Sequence, residues 1–343
     1  MKNDSSSHGE PVAVVGAGSW GTTLAKLVAE NGRRTLLWAR SEELCREIEE
    51  TRENRAYLPG AKLPPSLEAT HDLERVCDAT RLILLVVPSH GLRAVARQLG
   101  DHVSGEHVVV HATKGLEEGT FKRMTEILRE ETCLRQLGVL TGPNLARELA
   151  AREPAGTLVA SPYDDVFRRA HAALESDYFR VYHSHDVIGA EIGGAFKNIV
   201  ALAAGLVSGL GYGENTKALI LTRSLSEMAR LGTAMGADIL TFGGMAGIGD
   251  LMATATSRLS RNFQVGERLA QGESLEQIQG AMRMVAEGVK TTRAVRDYAE
   301  RRQLDLPIVR AVFRLLYQGG DPPTLLADLM AIPTGREFVA LTP

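Results

Sequence analysis

One lysine in this 343-residue chain has sequence neighbours that suit a catalytic or ligand-binding role. Lys197 lies in an apolar stretch, residues 188–210, whose large side chains recur at helical spacing. Gly194 and Ala201, three residues before and four after it, place small side chains on its face of that helix. A buried ammonium is unfavourable unless something requires it there, and small neighbours let a ligand or another backbone come close. The alternative is a lysine that snorkels to solvent or pairs with a carboxylate.

A glycine motif near the N-terminus predicts a dinucleotide site. Gly16, Gly18 and Gly21 follow a short apolar run, residues 11–15, and open a helical segment. In this context the glycines permit a tight turn and let a pyrophosphate approach the helix N-terminus. By itself the pattern would fit a simple turn, but its position between strand and helix favours the cofactor.

The residue after the second strand indicates which nicotinamide cofactor binds. That strand ends Trp38-Ala39-Arg40, without the acidic residue expected for strict NAD binding. A guanidinium suits a ribose 2′-phosphate, so NADP(H) is favoured, unless Arg40 is simply a solvated loop residue. Glu42 and Glu43 follow closely, and either carboxylate would suit a 2′-hydroxyl, which leaves NAD(H) open.

Polar residues also follow later strands, at the edge where open α/β sheets bind ligands. Val87-Pro88-Ser89 is one such turn, and Lys114 after Ala112-Thr113 favours an anion site over a merely exposed lysine. Gly142-Pro143-Asn144 occupies the same edge, with Asn144 alternatively a helix N-cap.

The second half of the chain offers an acid and a candidate phosphate clasp. Asp250 lies in a glycine-rich turn, residues 247–251, and Ser260-Arg261-Asn262 follows about ten residues later. An arginine fork, an amide and free backbone N–H groups at a helix start suit a phosphate, although the same residues would suit a surface cap.

We expect no metal site and no disulfide. His183 and His185 are two residues apart, and we expect no third ligand nearby. Cys45, Cys77 and Cys133 are scattered, which favours reduced thiols in a cytosolic protein.

The elements that must position these residues form two different halves. Strands alternate with helices up to residue 186, which predicts an α/β Rossmann-type, doubly wound, mostly parallel sheet. Only helices follow, at residues 188–210, 214–235, 262–271, 274–281, 288–302, 307–317 and 322–331. We therefore predict a disordered polar tail over residues 1–10, a dinucleotide-binding domain over 11–186 and an all-α substrate-binding domain over 187–343.

Composition excludes several classes of partner. The net charge of −3 gives no general attraction for nucleic acid or membranes, so an anion site must be built locally. The N-terminus lacks the apolar core of a signal peptide, and the stretch around Lys197 also carries Glu191. We expect a soluble, cytoplasmic protein without membrane insertion.

Eight segments in this order resemble the bacterial NAD(P)-dependent glycerol-3-phosphate dehydrogenases: GAGSWGTTLA, VVPSH, ATKGLE, GPNLARE, GGAFKN, GMAGIGDL, SRN and VAEGVKT. The resemblance covers residues 12–335, and GGAFKN with the downstream GDL and SRN is its most specific part. It implies NAD(P)H-dependent, reversible reduction of dihydroxyacetone phosphate to sn-glycerol 3-phosphate for phospholipid synthesis. It also implies a homodimer.

Carried over by position, the resemblance implies a role for each site residue. Lys197 is the expected catalytic acid/base. The implied substrate contacts are Lys114, Gly142, Asn144, Lys197, Asn198, Asp250, Thr254, Ser260, Arg261 and Asn262. The implied cofactor contacts are Gly16, Gly18, Ser19, Trp20, Gly21, Arg40, Lys114, Ala146, Arg261, Val285 and Glu287. Asn144 departs from the family, which usually has Ser or Thr there, although an amide also donates and accepts.

Two other functions remain open from the residues. One is a related dehydrogenase acting on a β-hydroxy acid or an unphosphorylated keto acid, which Lys114, Arg261 and Asn262 disfavour because three donors suit a phosphate dianion. The other is a dinucleotide sensor without turnover, which the lysine among small residues disfavours.

Overall fold

The computed structural model describes residues 9–282 and 286–331. The chain divides into two compact units. The first is built from the segments up to Thr113 and from Met124 to Val187, and the second from Lys114 to Arg123 and from Ile188 onward. We predicted a single domain boundary at residue 186. The structure also assigns the segment from Lys114 to Arg123 to the helical unit. The tail predicted over residues 1–10 lies outside the described residues except for Gly9 and Glu10.

In its described residues, the first unit contains one eight-stranded sheet with the order β3-β2-β1-β4-β5-β6-β7-β8. The strands are β1 Val12–Val15, β2 Thr35–Trp38, β3 Leu67–Thr70, β4 Leu82–Leu85, β5 Val108–His111, β6 Gln136–Thr141, β7 Ala155–Ala160 and β8 Phe179–Ser184. All neighbouring strands are parallel except β6 and β7, which are antiparallel. The predicted α/β class and mostly parallel sheet are confirmed.

Helices cover both faces of this sheet. They are α1 Ser19–Glu30, α2 Glu42–Thr51, α3 Leu73–Ala79, α4 Ser89–Gly100, α5 Met124–Glu131, α6 Ala146–Ala150 and α7 Asp164–Leu174. Alternate residues of β1 point to opposite faces of the sheet. Val12 and Val14 pack into the core on one face, and Ala13 and Val15 pack into the core on the other. A strand covered on both faces has no polar side, which explains its continuous apolar sequence.

The described residues of the second unit form helices and turns and no strand, as predicted. Its α-helices are α8 Val187–Gly209, α9 Glu214–Ala234, α10 Asp250–Ala255, α11 Arg261–Ala270, α12 Leu275–Ala281, α13 Glu287–Arg301, α14 Pro307–Tyr317 and α15 Pro322–Met330. A 3₁₀ turn, Ile239–Gly243, and a π-helical turn, Met245–Gly249, precede α10. These two turns and α10 were not predicted from the sequence.

Helix α8 is the core of this unit. It is long and apolar enough to cross a bilayer, yet 89% of its most apolar window is buried inside the protein. Its apolar side chains therefore pack inside the protein.

Candidate active site

The glycine motif forms a tight turn between β1 and α1. Gly16 has a φ of +120°, and a Cβ there would meet the Val86 carbonyl oxygen at 2.2 Å. A Cβ on Gly21 would lie 1.8 Å from the Gly16 carbonyl oxygen. Both positions therefore require glycine for packing alone.

Gly18 differs, because nothing lies within 4 Å of where its Cβ would be. It is the N-cap of α1 and makes no side-chain cap hydrogen bond. The first N–H groups of a helix need acceptors, and a phosphate is a suitable one. Open space in front of an uncapped helix start fits a dinucleotide pyrophosphate.

A buried asparagine that the sequence analysis missed holds this turn. Asn54 donates to the Ala17 carbonyl at 2.9 Å and to Thr22 Oγ1 at 2.8 Å. Ser19 Oγ donates to the Tyr57 carbonyl at 2.7 Å, so the same loop is tied twice. Neither Asn54 nor Tyr57 belongs to a recognisable motif, and only the fold brings them to the glycines.

Three further predicted cofactor contacts lie in this unit. Thr23 Oγ1 hydrogen-bonds the Ala146 carbonyl at 3.1 Å, which fixes the start of α6 beside α1. Trp20 packs edge-on against Phe179 with ring centroids 6.5 Å apart. Arg40 is exposed after β2, and it has no ion-pair partner among the residues that the structure describes.

Asn144 is not the helix N-cap that we considered as its alternative role. Leu145 is the N-cap of α6, while Asn144 Nδ2 donates to the Gly156 carbonyl at 2.9 Å. Its Oδ1 accepts from Thr157 Oγ1 at 2.9 Å. Gly142, with a φ of +147°, lies where a Cβ would approach Thr157 to 3.1 Å. The amide therefore ties the turn after β6 to β7, because an antiparallel neighbour presents its backbone there.

In the second unit, Lys197 is buried on α8 and only 7% exposed. Its ammonium donates to Asp250 Oδ1 and, at 2.7 Å, to Thr254 Oγ1. The third N–H of the ammonium has no acceptor within the described parts of the chain. The carboxylate pairing that we left open is thus present, and it leaves one donor for a ligand.

Asp250 is shared between two lysines. Its Oδ2 accepts from Lys114 Nζ at 2.5 Å, while its Oδ1 accepts from Lys197. Burial would raise the pKa of Asp250, but the two ammonium groups outweigh it and hold that pKa below its ordinary value. The carboxylate therefore stays charged between two cations.

The pKa of Lys197 moves in the direction that acid/base chemistry at neutral pH requires. Burial lowers it to about 7, Asp250 opposes the shift, and Lys114 adds to it. A proton donor is most effective with a pKa near the working pH.

Glycines bring Asp250 to Lys197 across 53 positions of sequence. A Cβ on Gly193, one turn before Lys197, would lie 2.2 Å from the Ala246 carbonyl oxygen in the π-helical turn. A Cβ on Gly247 would lie 2.0 Å from the Phe242 carbonyl oxygen. These close backbone approaches press the turn against α8, and Asp250 begins α10 at that point. Wide helical turns of this kind are frequent at functional sites.

Lys114 reaches Asp250 because its segment is anchored to the helices. Arg123 pairs with the buried Glu191 of α8 at 2.7 Å, and Glu118 pairs with Arg293 at 3.1 Å. Phe121 packs edge-on against Tyr298 at 5.9 Å. These contacts hold the C-terminal half of the segment that begins at Lys114.

Helix α11 brings the candidate phosphate clasp to α8. A Cβ on Gly205 would meet the Phe263 carbonyl oxygen at 2.0 Å, so the two helices touch through their backbones. Asn262 Nδ2 donates to Asn198 Oδ1 at 3.0 Å, and Asn262 Oδ1 accepts from the Gly288 N–H at 2.9 Å. One amide N–H of Asn262 thus remains for a ligand among the described residues.

The residues around Asn262 take different roles. Ser260 caps α11 by accepting from the Phe263 N–H at 3.3 Å, which is the capping role we considered. Arg261 is exposed at the first position of the helix; crowding by protein atoms lowers the pKa of its guanidinium, and Glu287 opposes that shift. Glu287 opens α13, whereas Val285 lies outside the described residues.

The structure corrects the premise of our metal prediction. We expected no third ligand near His183 and His185, but the start of α7 places Asp164 beside both imidazoles. The residue is about 20 positions away in sequence, and only the pairing of β7 with β8 makes it a neighbour.

Comparisons with known proteins agree with this arrangement. Residues 11–166 match the family model described as NAD-dependent glycerol-3-phosphate dehydrogenase N-terminus, and residues 186–327 match the C-terminus of the same family. The chain is 45% identical over 324 residues to a glycerol-3-phosphate dehydrogenase [NAD(P)+] of Geobacter sp. (strain M21), covering 94% of this chain and 97% of the relative. It is 44% identical over 322 residues to the enzyme of that name from Halalkalibacterium halodurans, covering 93% of each.

A solved structure shows the same architecture. The crystal structure of glycerol-3-phosphate dehydrogenase from Coxiella burnetii superposes with a TM-score of 0.90 at 33% identity, covering 94% of this chain and 99% of that chain. The similarity spans both units and nearly the full length of these relatives, and on this basis the chain belongs to the NAD(P)-dependent glycerol-3-phosphate dehydrogenase family.

Proposed function

We propose that this protein catalyses the reversible reduction of dihydroxyacetone phosphate to sn-glycerol 3-phosphate with NADPH or NADH. The product would supply glycerophospholipid synthesis. The observation that carries the proposal is the buried amine of Lys197, held by Asp250 and Thr254 and with one donor left over. The names of the relatives support the choice of substrate.

Lys197 acts as the proton donor in this proposal. The bound cofactor supplies a hydride to the ketone carbon. The remaining N–H of Lys197 hydrogen-bonds the ketone oxygen, stabilises the charge that develops there and transfers its proton to give the hydroxyl. The amine is left neutral and regains a proton from solvent. Its lowered pKa makes the neutral amine accessible near pH 7.

Asp250 and Lys114 position and tune this amine. Asp250 fixes the direction of Lys197 through one carboxylate oxygen and binds Lys114 through the other. Lys114 also adds positive charge for an anionic substrate. We propose that Asn198 and Thr254 line the same site.

Arg261 and Asn262 are the proposed phosphate ligands. Both belong to the start of α11, where the dipole of the helix favours an anion. Binding of the phosphate, away from the carbonyl, positions the reacting atoms. Such positioning can supply a large part of the reduction in activation free energy. We also propose Gly142, Asn144 and Ser260 as substrate contacts. The side chains of Asn144 and Ser260 already have hydrogen-bond partners, so these two residues would contact the substrate mainly through their backbones.

The glycine turn with Ser19, Trp20 and Ala146 is the proposed cofactor cradle, with Arg40 selecting NADP(H). The open helix start at Gly18 and the exposed guanidinium of Arg40 support this. Glu42 pairs with Arg46 at 3.3 Å, which makes it less available to a ribose hydroxyl. Lys114, Arg261 and Glu287 stay proposed cofactor contacts on the family resemblance alone, as does Val285, which lies outside the described residues.

We further propose a cytoplasmic homodimer. Large exposed apolar side chains on the second unit, such as Leu240 and Leu259, support a partner surface there. Sedimentation equilibrium would give twice the chain mass for a dimer, and a single chain mass at micromolar concentration would exclude it.

Initial rates test the function directly. NADPH and NADH oxidation are followed by absorbance with dihydroxyacetone phosphate, with dihydroxyacetone and without a ketone. We expect consumption only with the phosphorylated ketone and faster with NADPH. No consumption with that ketone would exclude the reaction, and equal rates with dihydroxyacetone would exclude phosphate recognition.

A further inference from the structure

Three side chains at the edge of the sheet in the first unit converge outside the site described above. They are His183 in β8, His185 just after it and Asp164 at the first position of α7. Asp164 Oδ1 lies 4.0 Å from His183 Nε2 and 3.7 Å from His185 Nε2. One ligand atom from each of the three residues lies within 4.8 Å of the other two.

The fold builds this cluster from two neighbouring strand ends. His183 and His185 are two residues apart at the end of β8, so both side chains project from the same face. β7 runs parallel to β8 with Val159 opposite His183 and Ala160 opposite Ser184. The chain leaves β7 at Ala160 and enters α7 at Asp164, which delivers the carboxylate to the imidazoles.

The two imidazoles are already oriented. His185 Nδ1 lies 3.1 Å from the Ser161 carbonyl, which can only accept, so Nδ1 carries the proton and Nε2 keeps its lone pair. Such a hydrogen bond to a backbone carbonyl typically orients metal-binding histidines. His183 stacks on Phe167 at 4.3 Å and 18°, which restricts its ring.

Asp164 is available as the third ligand. Its neighbour Asp165 is engaged by Arg168 and Arg169, each at 2.9 Å. In the parts of the chain that the structure describes, Asp164 has no lysine or arginine partner. Its carboxylate therefore faces the two imidazoles and solvent.

We propose that Asp164, His183 and His185 form a surface site for one Zn²⁺ ion. Two imidazole nitrogens and one carboxylate suit Zn²⁺ and its first-row neighbours, whereas Mg²⁺ and Ca²⁺ prefer oxygen ligands. Ligands about 2.1 Å from a tetrahedral ion lie about 3.4 Å apart, so the Asp164 oxygen needs to close by only a few tenths of an ångström from 4.0 and 3.7 Å. The ligand atoms of the two imidazoles lie within 4.8 Å of each other, so they need to approach by about 1.4 Å at most. All three residues are exposed, which leaves the fourth position to water.

Isothermal titration with ZnCl₂ tests the site, using tag-free, full-length protein treated with EDTA and then freed of chelator. We expect one ion per chain for the wild type. Asp164→Asn, His183→Gln and His185→Gln should each weaken binding by about tenfold or more, because losing even an outer partner of a ligand costs that much. His102→Gln removes an exposed histidine elsewhere in the chain and should leave binding unchanged.

Thermal unfolding gives a second readout. Zn²⁺ should raise the Tm of the wild type and of His102→Gln, and MgCl₂ at the same concentration should not. Dehydrogenase activity of each variant without Zn²⁺ reports that the protein is folded. Zn²⁺ binding that survives unchanged in His183→Gln and His185→Gln, or no binding by the wild type, would overturn the proposal.

Discussion

Lys197 on α8 donates to the carboxylate of Asp250 at the start of α10, in the interior of the second unit. The pair is held by backbone contacts at Gly193 and Gly247. Lys114 binds the other oxygen of the same carboxylate, so both Asp250 and Lys114 act on the pKa of Lys197.

The pH dependence of the reaction should report Lys197. Reduction needs its ammonium form, so kcat/KM for reduction should fall as the pH rises through about 7. Oxidation needs the neutral amine, so kcat/KM for oxidation should rise over the same range. Rates in both directions from pH 5.5 to 9.5 provide the measurement.

Asp250→Asn should move both profiles. Asp250 raises the pKa of Lys197, so its removal lowers that pKa further and shifts both limbs to lower pH. Asp297→Asn alters a partly exposed acid paired with Arg296 and serves as the control. If the rate of Asp250→Asn falls but the pH profiles of kcat/KM do not shift, Asp250 has only a structural role.

Arg261→Ala should mainly weaken phosphorylated substrates. A hydrogen bond to a charged group contributes about 1.5–3 kcal/mol, so kcat/KM for dihydroxyacetone phosphate should fall about 10- to 100-fold. Arg258→Ala removes a side chain that is 82% exposed three positions earlier and should have little effect. An unchanged preference for the phosphorylated ketone would remove Arg261 from the site.

Arg40→Ala should reduce discrimination between the cofactors. Its guanidinium is exposed after β2, and losing a charge-assisted contact to a 2′-phosphate should lower kcat/KM for NADPH about tenfold. NADH, which lacks that phosphate, should react at nearly the same rate. Arg34→Ala, at the opposite end of β2, is the matched control. Equal losses for both cofactors would contradict a role in selection.

Glu227 makes the stability of the protein depend on pH. Its buried carboxylate accepts from the N–H groups of Ile308, at 2.7 Å, and Val309, at 3.2 Å, and burial raises its pKa to about 7. The folded state therefore binds a proton that the unfolded state has lost above pH 4.5, the ordinary value for a glutamate. Glu227 therefore contributes about 3 kcal/mol to the free energy of unfolding. This contribution is fully present below pH 4.5 and is lost as the pH rises through about 7.

Glu227→Gln removes this titration. The difference in unfolding free energy between wild type and variant should decrease from pH 4.5 to pH 7 and then level off. Urea unfolding at several pH values measures it, and a difference independent of pH would show that Glu227 titrates normally.

Residues next to each other in sequence were the easier part to predict. The alternation of β1, α1 and β2 and the continuous apolar runs of the buried strands follow from local periodicity. The strand Leu67–Thr70 was missed because it has only four residues and Glu68 interrupts its apolar run. The helix α10 was missed because it is short and follows a π-helical turn, which helical periodicity does not describe.

Contacts between distant residues lay beyond local reasoning. The sequence indicated Lys197, Lys114 and Asp250 separately, each from its local surroundings. That the two lysines share the carboxylate of Asp250 depends on how α8 packs against the π-helical turn. Asn54 under the glycine turn and Asp164 beside His185 carry no local pattern at all. Each acquires its role from the strand order and from the loops that the sheet brings together.

Turnover of Lys197→Met tests the central claim most directly, because methionine keeps the apolar stem and removes only the amine. The account predicts that kcat falls by about two to four orders of magnitude while NADPH binding, measured by fluorescence titration, is unchanged. Lys217→Met, which breaks only the surface pair with Glu214, should retain wild-type turnover. A Lys197→Met enzyme with near wild-type kcat would contradict the assignment of the proton donor.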